Sequence, residues 1–287
     1  MIDGRVVIDA HVHTPHLATL APSWVEWAET FAKDYPWRDV YDAAGEPVPE
    51  RLDRLLAEEG VDRALLFCEY SPRATGIQPI EHNLPIVECN PERFALVANV
   101  NPHLHFPLVG EVRRQLDLGA VALKLHPVHG AFDPGDKDLY PVYAHCSDNG
   151  VPVIFHSGTS SFPGSQTSRG NPELLLDAID YFTDLQFVFA HGGRGWWYDV
   201  AAYLAQAKAN VWLDLAGLPP KKLPEYYQRF DLARLAQKMI FGTDWPGVPG
   251  VRRNVEALAG IGLPDDVLSN VLAGNALRVF PRLTVTT

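Results

Sequence analysis

Val6-Val7-Ile8-Asp9-Ala10-His11-Val12-His13 is the stretch on which the reading of this chain turns. A short β-branched run near the N-terminus ends in two histidines one residue apart. In an extended strand residues i and i+2 point the same way, so His11 and His13 are expected on one face. Two imidazoles on one face can share a metal ion, since imidazole is an ordinary ligand for Zn, Fe, Ni and Mn. A lone His-x-His is weak evidence, and its weight depends on what lies downstream.

Seven further apolar, β-rich runs follow, at residues 63–68, 94–100, 120–125, 152–155, 186–190, 210–215 and 238–242, after the first at 6–9. Segments with helical spacing separate them: 49–60, 80–89, 107–118, 138–149, 172–182, 197–209, 224–237, 251–259 and 264–273. Asn171-Pro172-Glu173 supplies an N-cap with proline at the first helical position. Eightfold strand–helix alternation with strands apolar on both sides is the sequence form of an α/β (β/α)₈ TIM barrel. An open doubly wound sheet would put a glycine-rich phosphate loop after the first strand, where this chain has His-x-His. The reading is one domain over 1–287 with one long insertion, 14–47, rich in tryptophan and charge. A βα insertion in a barrel sits over the catalytic mouth, which makes 14–47 a candidate lid or substrate wall.

Composition narrows the function classes. Of 287 residues, 47% are hydrophobic and 21% charged, as expected of a globular protein with a large core. A formal net charge of −11 with no basic run argues against a nucleic-acid partner. Cys68, Cys89 and Cys146 are odd in number and widely spaced, and read as free thiols in a reducing cytosol. The apolar runs are strand-length, so no membrane span is expected, and the first strand begins too early for a signal peptide. The expectation is a cytoplasmic protein whose partner is a small molecule, with a homodimer as its one candidate assembly.

Barrel enzymes carry their chemistry at the C-terminal ends of strands. Here those ends present His11 and His13, then Glu69, then Asn99 and Asn101. Next come Lys124 and His126 on one face, His156, His191, Asp214 and finally Asp244. Five of the eleven histidines fall at strand ends. Each alone reads most simply as a hydrogen-bonded core histidine. Together they converge as buried ionisable groups on one mouth, which is costly unless a charge-compensating centre such as a divalent metal holds them.

The motifs Ile8-Asp9-Ala10-His11-Val12-His13, Phe155-His156-Ser157-Gly158, Phe189-Ala190-His191-Gly192-Gly193 and Phe241-Gly242-Thr243-Asp244-Trp245-Pro246 resemble those of the amidohydrolase superfamily. The similarity is to its amidohydrolase-2 branch, which includes aminocarboxymuconate-semialdehyde decarboxylase, resorcylate decarboxylase and lactone hydrolases. Ala273-Gly274-Asn275-Ala276-Leu277-Arg278 is similar to the start of that branch's final helix. The resemblance implies that His11, His13, His156 and Asp244 ligate one metal, Zn²⁺ with Mn²⁺ as the alternative. It implies too that His191 stands beside the metal as an acid or base. Three histidines and a carboxylate leave the site net positive with room for an activated water. Asp244 would bind metal with one oxygen and take the water's proton with the other, which makes His191 and Asp244 the catalytic pair. Lys124 lies on the strand where binuclear members carry a carboxylated lysine. A second metal is expected only if Lys124 is so modified. The reading preferred here is an unmodified lysine that holds a substrate carboxylate or acts as an acid behind the ligands, with an ammonium paired to Glu69 or Asp214 as the alternative. His126 either contacts substrate or bonds within the barrel.

Arg194, directly after Gly192-Gly193, and Arg169, in the loop after strand 5, are candidates to grip a substrate carboxylate. Trp245, beside Asp244, is the expected pocket wall. The expected function is a metal-dependent hydrolase acting on a small carboxylated lactone, ester or amide. The rival is non-oxidative decarboxylation of an aromatic or unsaturated acid, and a third reading is an inactive barrel kept as a binding protein.

Overall fold

In the computed structural model, which describes residues 1–283, eight parallel strands follow one another around a sheet in chain order. They are β1 (Ile8–His13), β2 (Arg63–Phe67), β3 (Phe94–Asn99), β4 (Ala122–Leu125), β5 (Val153–Gly158), β6 (Phe187–Arg194), β7 (Val211–Asp214) and β8 (Met239–Ile240). The chain just beyond β8 closes the barrel on β1. The Asp244 amide donates to the His11 carbonyl (3.0 Å), and the amides of Ala10 and His13 donate to the carbonyls of Phe241 (3.0 Å) and Trp245 (2.9 Å). Val12 and Trp245 form a parallel bridge. The regular strand is shorter than the expected 238–242, and beyond it the pairing with β1 continues irregularly through Phe241, Asp244, left-handed at φ 71°, and Trp245.

Alternation along the strands builds two cores. Ile8, Leu65, Val97, Ala122, Ile154 and Val188 fill the barrel interior. Val7, Leu66, Leu96, Leu123, Phe155 and Phe189 face outward onto helical residues such as Leu52, Val112, Val142 and Leu204. In β1 the phase changes. Ile8 and Ala10 point inward, yet Val12 belongs to the outer core. The pairing with β2 shifts register between Asp9 and Val12. A bulge there moves both histidines to the inner face, where strict alternation from Ile8 would have turned them outward.

Other elements depart from the sequence reading. The expected helix 224–237 is two, Leu223–Tyr226 and Leu232–Ala236, because the Asp231 carboxylate accepts from the Arg234 amide (3.0 Å) and caps a new start. An antiparallel hairpin, Glu69–Ser71 with Gly76–Gln78, follows β2. The insertion contains the helix Pro22–Ala32, whose Trp24 and Ala28 are buried. Among the described residues no helix is long and apolar enough to cross a membrane. Cys68, Cys89 and Cys146 are unpaired.

Candidate metal centre and active site

The strand ends enclose a small cavity of about 30 Å³. His11, His13, His126, His156, His191 and Asp244 line it, joined by Glu69, His129 and Arg194. Trp27, Phe162 and Arg194 also line a neighbouring cleft of about 950 Å³, which gives the cavity a route outward.

His11, His13 and Asp244 each bring a ligand atom within 4.8 Å of the others. The Asp244 Oδ1 lies 3.5 Å from His11 Nε2 and 3.3 Å from His13 Nε2. Burial opposes charge on Asp244, but the His13 hydrogen bond and the adjoining His11 and Arg194 outweigh it and push its pKa down. His11 is fully buried, and its Nδ1 lies 2.6 Å from Asp214 Oδ2. Nδ1 is therefore the donor nitrogen. Nε2 is left with a free lone pair and no hydrogen-bond partner. Burial pushes His11 below the usual imidazole range, and nearby Lys124 adds to this. Asp9 braces the frame from behind, accepting from the Thr243 amide (2.9 Å), the Thr243 hydroxyl (2.6 Å) and the His11 amide (3.2 Å).

His156 faces the same cavity but groups differently. Its ligand atom falls within 4.8 Å of those of His126 and His129. Of the four residues expected around one ion, three therefore form one cluster and the fourth stands in the adjoining one. His191 lies between them, its ring centroid 5.2 Å from His11 and 4.5 Å from His156. The left-handed backbone of His191, φ 65°, turns its side chain into the barrel, although Val188 and Ala190 hold the inward phase of β6. Non-glycine residues held left-handed are uncommon, and both His191 and Asp244 are at this site. His191 Nδ1 donates to the Ala216 carbonyl (2.9 Å), so Nε2 is the acceptor nitrogen. Burial, then Arg194, lowers its pKa well below the usual value and so favours the uncharged ring.

Three of the expected substrate contacts do not line the small cavity. Arg169 lines neither cavity; its guanidinium pairs with Asp133 (2.6 Å). Trp245 is fully buried in the outer core, and Trp24 and Trp27 supply the aromatic wall instead. Lys124 shares the inner face with His126 as expected but is not part of the cavity wall. Its Nζ is buried without a partner, 4.9 Å over the Phe67 ring. Burial lowers its pKa to about 8, opposed by Asp214, Asp244 and Glu69. Arg194 does line the cavity, with its guanidinium on the Thr159 carbonyl at 3.3 Å. His126 also lines it, with Nε2 3.3 Å from Glu69 Oε2.

His129 received no role from sequence. It reaches the cavity because Pro127 starts a one-turn helix, Pro127–Gly130, immediately after β4. Proline at the first helical position, with histidines three residues apart, was the available signal.

Gly217 is a further positioning element. A Cβ there would lie 2.6 Å from Arg194 Nη1 and 2.9 Å from Asp244 Oδ2, on a backbone at φ 66°. Gly217→Ala is expected to displace both groups and lower kcat/KM by about 10²-fold. Steady-state kinetics beside an unchanged far-UV circular dichroism spectrum checks this.

The donor set fits a divalent cation. His11 Nε2 and His156 Nε2 are buried without hydrogen-bond partners, beside a carboxylate held ionised. The family profile described as amidohydrolase matches residues 8–282. An uncharacterised TIM-barrel protein from Bordetella bronchiseptica shares 24% identity at a TM-score of 0.78, covering 96% of this chain and 99% of its own. A 5-carboxyvanillate decarboxylase from Novosphingobium aromaticivorans, solved with manganese and 4-hydroxy-3-methoxy-5-nitrobenzoic acid, shares 16% at 0.67, covering 98% and 97%. A probable 2-pyrone-4,6-dicarboxylic acid hydrolase from Acinetobacter baumannii, with citric acid bound, shares 16% at 0.65, covering 96% and 99%. The sequence matches none of the curated proteins.

Proposed function

This chain belongs to the amidohydrolase family, and on that premise we propose that it is a metal-dependent hydrolase of a small carboxylated lactone, ester or amide. His11, His13 and Asp244 are the residues that would hold the ion, Zn²⁺ or the Mn²⁺ found in the related decarboxylase. Three protein ligands with open positions is the usual arrangement of a catalytic zinc site. Such an ion, when bound, supplies Lewis-acid polarisation of a substrate oxygen or of water.

The observation that carries the hydrolytic reading is the state of His191. Its Nδ1–H is committed to the Ala216 carbonyl and burial favours the uncharged ring, which leaves Nε2 as the nitrogen that can accept a proton. Water attack on an acyl carbon needs an acceptor of that kind. Arg194 bridges the small cavity and the wide cleft and supplies a planar donor pair for the substrate carboxylate. Trp24 and Trp27, from the 14–47 insertion, wall the site and limit water.

Arg194→Ala is expected to raise KM for carboxylated substrates by roughly 10–100-fold, the range set by a hydrogen bond to a charged group. Uncharged analogues should be nearly unaffected. The reading itself is tested with metal-loaded protein on a panel of carboxylated lactones, esters, amides and aromatic acids. Formation of the ring-opened or cleaved acid without gas supports hydrolysis; release of CO₂ from the aromatic acids overturns it.

A further inference from the structure

We infer that the substrate is elongated and anionic at both ends. Its reacting group enters the histidine-lined cavity and its apolar body lies in the wide cleft, where Lys33, Lys221 and Arg253 meet a second anionic group. The inference deepens the proposed function and rests on it only for the place of the reacting group. The inner cavity holds about 30 Å³, the share of one water molecule in the liquid, so a substrate can send in a carbonyl but not its body. The cleft beside it holds about 950 Å³, near the upper end of the range for pockets that enclose a drug-sized ligand. Trp27, Phe162 and Arg194 line both, so one molecule can occupy the two at once.

Aromatic rings supply much of the cleft wall. Trp27 packs against Phe31 and Phe162, with ring centroids 6.3 and 5.8 Å apart, and Tyr198 stacks on Tyr226 at 4.5 Å. Phe31 is 52% exposed, so apolar area stays in water until a ligand covers it. The charged wall residues run against the rest of the chain. The formal net charge is −11, yet Lys33, Arg194, Lys221 and Arg253 line the cleft against the single carboxylate of Glu256. Lys222 pairs with Glu225 at 2.7 Å, whereas among the described residues Lys33, Lys221 and Arg253 enter no ion pair. These three come from separate segments: the end of the insertion helix, the turn Pro220–Lys222 and the helix Val251–Ala259. Unpaired cations gathered in a cleft raise the local concentration of an anion. Arg194 serves the carboxylate nearest the reacting group, which leaves the other three for the second.

The test is calorimetric titration of the metal-loaded protein with unreactive acids: succinate, suberate and sebacate, beside octanoate and decanoate. Affinity should rise by roughly two- to fourfold for each methylene added from succinate to sebacate, in line with burial of the chain. Sebacate should bind about tenfold more tightly than decanoate, which has the same length and one carboxylate fewer. Lys221 and Arg253 are exposed, so Lys221→Glu combined with Arg253→Glu should keep the fold. At physiological ionic strength that double variant should weaken sebacate by about tenfold and leave decanoate nearly unchanged. Affinities that do not change with chain length overturn the inference. So does sebacate binding no tighter than decanoate, or sebacate binding that the double variant leaves intact. None of these acids reacts, so the result is separate from the hydrolysis panel. Flat affinities in an active hydrolase remove only the elongated substrate, and the expected pattern in a protein that releases CO₂ removes only the hydrolytic reading.

Discussion

His191→Asn should keep its metal and lose turnover by on the order of 10²–10⁴-fold, the usual contribution of a positioned acid or base. Asparagine is close in size to the near half of imidazole, and its amide can still donate to the Ala216 carbonyl, which His191 Nδ1 reaches at 2.9 Å. It also tolerates the left-handed backbone at φ 65° better than most residues. What it removes is Nε2. The comparison of kcat with metal content therefore isolates proton acceptance from ligation. A loss of metal equal to that of a ligand variant would place His191 in the coordination sphere.

Asp244→Asn is expected to lose both metal and activity. It retains the side-chain shape and the left-handed conformation at φ 71° and removes only the charge. Asp244 is the one carboxylate in its cluster and lies within 3.5 Å of both histidine Nε2 atoms. Neutralising it leaves two imidazoles, so zinc affinity should fall by more than the ~10–100-fold that follows loss of an outer-shell partner. Zinc competition with a chromophoric chelator measures the change.

The barrel and the gathering of ionisable groups at its strand ends were legible because period-2 alternation and strand–helix order are local properties. Lys124 and His126 do share the inner face, as their spacing requires. His11 and His13 do fall in one cluster, but the bulge that turns them inward left no mark in the residues themselves. Depth and direction were harder. Trp245 is next to Asp244 in the chain, yet consecutive residues point to opposite sides, and its ring joins the outer core. Arg169 was placed by its loop, but an arginine's partner depends on which carboxylate comes within reach, and Asp133 lies 36 positions away. The assignment of His156 to one cluster or the other depends on distances of an ångström or two, which no spacing rule resolves.

Crystals of the zinc-loaded protein, measured at the zinc absorption edge, test the central claim most directly. The account predicts an anomalous peak bonded to His11 Nε2, His13 Nε2 and an Asp244 oxygen at about 2.0–2.2 Å. A fully loaded crystal whose zinc peaks all lie elsewhere, with those three side chains free of metal, would contradict it.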